Sequence, residues 1–140
     1  MRSAFELARE AIDRGDRPFG TVLVHDDRVV MADSNHVLTE NDIRRHPELH
    51  LAYRACREHD PSTRAEMVMY TSTEPCPMCA SGMAQAGFGR VVYSVGSDEI
   101  AEFTDNEPSI RSAEILDGIT DVVGLVLNDE GRKIHNEFDC

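Results

Sequence analysis

Four residues in this 140-residue chain have the types and spacing to do chemistry: His46, Glu48, Cys76 and Cys79. Cys76 and Cys79 stand three apart in "PCPMC", where Pro77 suits the first turn of a helix. On that helix both sulfurs face one way, at the end where free N–H groups and the helix dipole favour thiolates. Taken alone, the pair fits a metal site and a redox dithiol equally well. The segment "RHPELH" adds an imidazole and a carboxylate at a second helix start opened by Pro47. One imidazole with two thiolates suits zinc and leaves one tetrahedral position for water, within reach of Glu48 acting as a proton carrier. A competing arrangement uses His50, four residues beyond His46, to close a purely structural Cys2His2 site.

The elements that must bring these residues together can be read along the chain. "SAFELAREAIDRG" has helical apolar spacing, with Ser3 available as N-cap and Gly15 as stop. "FGTVLVHDDRVVMADSN" reads as a Val-rich hairpin turning at Asp26-Asp27. A helix follows from about His46, with Leu49, Ala52, Ala55 and Cys56 on its apolar face. Then come the strand "EMVMYTS", the helix opened by Pro77, the strand "RVVYSVG", one or two short helices across "DEIAEFTDNEPSIRSAEIL", and a last strand "DVVGLVLN" before "DEGRKIHNEF". Strands alternating with helices after an opening hairpin predict an α/β layered fold with a mixed sheet of five strands. The length suits one domain, 1–140, and no linker or repeat divides it.

Composition narrows the partners. The net charge of -12 comes from 26 acidic against 14 basic residues, and Lys133 is the only lysine beside 13 arginines. Such a balance suggests a halophilic, salt-adapted surface, or simply an acidic protein of a GC-rich genome. Either surface argues against holding a polyanion, so nucleic acid is not an expected partner. No apolar run reaches membrane-spanning length and no signal peptide is evident, so the expected location is cytoplasmic, with reduced cysteines. Cys56 reads as a buried small apolar residue and Cys140 as uninformative. Met67, Met69, Met78 and Met83 read as core fillers, and His25, His36, His59 and His135 as surface or hydrogen-bonding residues.

His46-Pro47-Glu48 followed by Pro75-Cys76-Pro77-Met78-Cys79 resembles the cytidine deaminase superfamily of zinc-dependent nucleobase deaminases. The likeness runs through "RPFGTVLV", "NHVL" and "TSTEPCPMCASGMAQAGFGRVVYS", roughly residues 5 to 96. It implies a three-layer sandwich with the mixed sheet between helices, one zinc per chain held by His46, Cys76 and Cys79, and Glu48 as the catalytic proton shuttle. It further implies that Asn35 contacts the base, that Phe19 and Gly20 wall the site, and that the protein is a homodimer. The superfamily usually has Ala where Pro47 stands, and some non-catalytic partner subunits share His-Pro while lacking the glutamate; Glu48 favours an enzyme over such a zinc-stabilised subunit. "TSTEPCPMC" with "GRVVYS" looks most like the guanine and tRNA-adenosine branch. The expected substrate is a free nucleobase, guanine ahead of cytosine or a nucleoside, with tRNA adenosine third. Asp105 or Glu107 would then read the base edge, and Phe138 would serve as an aromatic lid, in this subunit or a neighbouring one.

Overall fold

The computed structural model describes residues 1–105, 107 and 109–138; Cys140 lies outside them. The elements in order are α1 (Arg2–Arg14), β1 (Gly20–His25), β2 (Arg28–Ser34), α2 (Val37–Glu40), a 3-10 turn (Ile43–Arg45), α3 (Pro47–Glu58), α4 (Pro61–Arg64), β3 (Val68–Thr73), α5 (Pro77–Ala86), β4 (Arg90–Val95), α6 (Ser97–Phe103), α7 (Ser112–Ile115), β5 (Asp121–Val123) and α8 (Asn128–Phe138). The sheet order is β2-β1-β3-β4-β5. β1 is antiparallel to β2 and to β3, whereas β3-β4 and β4-β5 are parallel, so the sheet is mixed as anticipated.

Two helical layers enclose it. On one face Leu51, Ala52 and Ala55 of α3 and Ala80, Met83 and Ala86 of α5 pack with Leu23, Met69 and Val91 of the strands. On the other, Phe5 and Ala8 of α1 meet Ile134 of α8. Gly20 belongs to this second interface: a Cβ there would lie 2.2 Å from the Ala4 carbonyl oxygen, so the residue admits α1 against the sheet and does not line the site. The hairpin turns at Asp26 and Asp27, both at positive φ (50° and 58°), a conformation that short polar side chains tolerate.

Several expectations are corrected. The buried stripe of α3 runs through Glu48, Leu51, Ala52 and Ala55, one position round from the expected one, which leaves Cys56 exposed. Met67, Met69 and Met83 are core residues, but Met78 is 37 % exposed. Met1, with no side-chain bond, occupies the N-cap of α1 in place of Ser3. The last strand stops at Val123, because Gly124 passes over the Tyr93 ring and Leu125 and Leu127 adopt positive φ. "DEGRKIHNEF" is helical, and Gly131 lets α8 approach Ser94 of β4. Among the described residues no helix is long and apolar enough to cross a membrane.

Candidate active site

His46 and Cys76 are each the N-cap of a helix, with extended backbone leading into a proline at the first helical position. α3 and α5 pack side by side on the sheet, so their starts converge. His46 Nδ1 lies 3.7 Å from Cys76 Sγ and 3.5 Å from Cys79 Sγ. Metal–ligand lengths of about 2.1 and 2.3 Å at a tetrahedral angle give an N···S edge of roughly 3.6 Å, so the donor set fits zinc. His50 is not part of it: its Nδ1 meets Asp33 Oδ2 at 2.5 Å. The other histidines differ among themselves. His25 pairs with Glu66 and His36 with the Ser34 carbonyl, at the surface or near it, whereas His135 is buried.

The thiols share one proton. The Cys79 hydrogen bond, with help from His46, holds Cys76 down to about 4 against the cost of burial. The same bond to Cys76, with burial, pushes Cys79 well up. The Cys76 hydrogen bond raises His46. These three groups, His46, Cys76 and Cys79, are therefore prepared as a cluster of donors rather than as isolated side chains.

Glu48 is 5 % exposed and reaches the same cavity as His46 and Cys76. Thr71 Oγ1 donates to its Oε1 at 2.8 Å, and Thr21 Oγ1 donates to Thr71 Oγ1 at 2.9 Å across the paired positions of β1 and β3. Burial raises its pKa, and hydrogen bonds from its own backbone N–H and from Thr71 only partly offset this. A carboxylate destabilised as an anion and steered by one hydroxyl is suited to accept and release a proton.

The cavity holds about 220 Å³ and is also lined by Phe19, Arg17, Glu74 and Glu107. Asp105 is exposed and is not among the lining residues, so of the two expected edge-reading acids only Glu107 stands at the site. Phe138 lines an adjoining cavity of about 320 Å³ within this chain, sharing its Arg17 and Phe19 walls. Asn35 is buried and its backbone N–H bonds the Phe19 carbonyl. Its Oδ1 accepts from the Val37 N–H at 3.0 Å and its Nδ2 has no partner among the described residues, but Asn35 is not among the residues that line the cavity.

Three participants escaped the sequence reading. Thr71 looks like any strand threonine until its partner is known. Glu74, next to Pro75 and Cys76, is buried and accepts from the Ser97 N–H, the Ser112 N–H and hydroxyl, and Arg111. Burial opposes its ionisation, yet these donors hold its pKa below the usual range. Its place between a strand end and the ligand helix was the available signal. Arg17 carried no signal beyond its place before Pro18-Phe19.

A mixed sheet with His/Cys/Cys donors at two helix starts and a buried glutamate beside them is an arrangement suited to hydrolytic deamination. A profile of the MafB19-like deaminases matches residues 1–122, and the chain belongs to that family, within the cytidine deaminase superfamily. It is 29 % identical over 150 residues to a probable cytosine deaminase of Schizosaccharomyces pombe, covering 99 % of this chain and 89 % of that one. It is 33 % identical over 103 residues to the guanine deaminase of Bacillus subtilis, covering 73 % and 66 %. A solved structure from work on A-to-I editing by tRNA:A34 deaminases superposes with a TM-score of 0.72 at 27 % identity, covering 96 % of both chains.

Proposed function

We propose that the chain is a zinc-dependent deaminase of a free nucleobase, guanine first, with His46, Cys76 and Cys79 as ligands and Glu48 as the proton carrier. The observation that carries the reading is the buried Glu48 opening into the same cavity as His46 and Cys76. Zinc in this donor set supplies Lewis-acid chemistry that lowers the pKa of a water towards about 7. Glu48 takes a proton from the attacking water and delivers it to the ring nitrogen beside the amine-bearing carbon. The water oxygen bonds to that carbon, Glu48 passes the second proton to the amine, and the C–N bond breaks to leave a carbonyl and ammonia. Asn35 Nδ2 donates to the base, and Phe19 supports its face.

The likeness to a guanine deaminase and a cavity of ring size support a free purine, and the charge of -12 weighs against tRNA. Cytosine is the second reading, favoured by the near-complete alignment with the S. pombe protein. Ammonia release from guanine, cytosine, adenine and their nucleosides, at low and molar salt with zinc-loaded protein, tests the proposal. Release from guanine that vanishes in Glu48→Gln is expected. Release from cytosine alone would move the substrate, and silence with one zinc bound would leave tRNA adenosine or a non-catalytic role.

A further inference from the structure

Acidic residues outnumber basic ones by 26 to 14, so an arginine without an acidic or carbonyl partner is unusual here. Every arginine except Arg17 and Arg28 makes a hydrogen bond or ion pair. Arg28 sits at the exposed hairpin end, where water suffices. Arg17 instead lines both the candidate active-site cavity and the aromatic cavity beside it, and makes neither kind of bond with a described residue. Glu107 lines the same cavity and does not pair with it.

The backbone that carries Arg17 is fixed. Asp16 before it is fully buried, its carboxylate accepting from the Leu38 and Thr39 N–H groups and from Arg14. Pro18 after it is buried, and the Phe19 N–H donates to the Arg17 carbonyl at 2.8 Å. The guanidinium therefore stands on a rigid stem at the exposed rim, while Glu48 lies at the buried floor. A guanidinium offers five N–H donors in a planar fork and accepts nothing.

We propose that Arg17 is a specificity-determining residue that binds the O6/N7 edge of guanine during deamination; this rests on the guanine reading above. With the C2 amine at Glu48, the O6/N7 edge lies on the far side of the ring, towards the rim. It presents two adjacent acceptors, the pattern that a guanidinium binds in bidentate fashion. Cytosine held by its C4 amine turns a single carbonyl outward, and adenine held by its C6 amine turns a lone ring nitrogen. Glu107, an acceptor, complements Arg17 by taking an N–H of the same base. The cavity thus reads guanine through its acceptor pair rather than through shape alone.

The test compares kcat/KM for guanine, 2-aminopurine (no O6) and 7-deazaguanine (no N7) on zinc-loaded wild type, Arg17→Ala and Arg17→Lys. Dividing the wild-type guanine/2-aminopurine ratio by that of the variant cancels the intrinsic reactivity of each base. A quotient of roughly 5 to 150 is expected for Arg17→Ala, with a smaller one for Arg17→Lys, whose ammonium cannot span both acceptors. Wild type should also disfavour 7-deazaguanine, a result that needs no variant to fold. A quotient near one, or a quotient seen with guanosine monophosphate and not with guanine, overturns the inference, the latter by assigning Arg17 to a phosphate. Wild type that deaminates cytosine and not guanine removes the guanine reading and this inference together; silence on every base removes the free-base reading and this inference with it.

Discussion

Glu48 and Glu74 line one cavity, both are nearly excluded from solvent, and the fold treats them in opposite ways. Glu48 receives one side-chain hydrogen bond, from Thr71, and burial raises its pKa. Glu74 receives two backbone N–H groups, a hydroxyl and a guanidinium, which overcome burial and lower its pKa. A carboxylate saturated with donors is a fixed anion that ties α6 and α7 to the end of β3. One left with a single side-chain donor besides its own backbone N–H keeps a free lone pair and a proton affinity worth using. The difference lies in the number of partners, since depth is shared.

The sharpest way to break this comparison is to remove each charge. Glu48→Gln should lower turnover by roughly 10²- to 10⁴-fold while leaving zinc content and the fold intact, checked by steady-state rates and metal analysis. In metal-free protein the same change should raise stability at neutral pH, because a buried anion is no longer required. Glu74→Ala should do the reverse: unfolding free energy falls by roughly 4 kcal/mol, since two backbone N–H groups and Arg111 lose their acceptor, as urea melts would measure. Equal effects on turnover and stability for both variants would dissolve the distinction.

His135 extends the contrast to a buried base on the α8 side. It packs against Phe103 with ring centroids 5.3 Å apart, and burial, with Arg132 nearby, lowers its pKa to about 4. The unfolded chain, near 6.5, therefore binds a proton that the folded one refuses between these values. Stability is full at pH 7 and falls as pH drops from about 6.5 towards 4, by roughly 3 kcal/mol. His135→Gln should flatten that slope in melts at pH 7 and 4.5. The smallest effect is expected for Thr71→Val, which removes only the steering hydroxyl: turnover falls about tenfold or less, with unchanged substrate affinity.

How much of this was legible depended on whether a residue announces its own chemistry. The convergence of His46, Cys76 and Cys79 did, because side chains placed at helix starts after extended segments have a spacing and a proline punctuation that can be read. The hairpin did too, since Asp26-Asp27 suits a turn of positive φ. Cys56 was misjudged because apolar periodicity fixes a helical face only to within about one residue, and the buried Glu48 pulled the true stripe round. The end of β5 depended on Tyr93, thirty residues earlier, and the roles of Thr71 and Glu74 depend on partners brought by the sheet from distant segments. Such roles are properties of pairs, and a sequence lists only single members.

The hydroxyl chain from Thr21 through Thr71 to Glu48 has a consequence for how the protein becomes active. It joins residues 50 and 23 positions apart, and it exists only in one alignment of β1 against β3. A slip of β1 by one residue would turn Thr21 to the face opposite Thr71 while preserving strand content. During refolding, circular dichroism would then count slipped and correct molecules alike, whereas deamination would count only the correct ones. The lag between the two signals becomes a direct reading of sheet proofreading in a chain that has no tryptophan to report it.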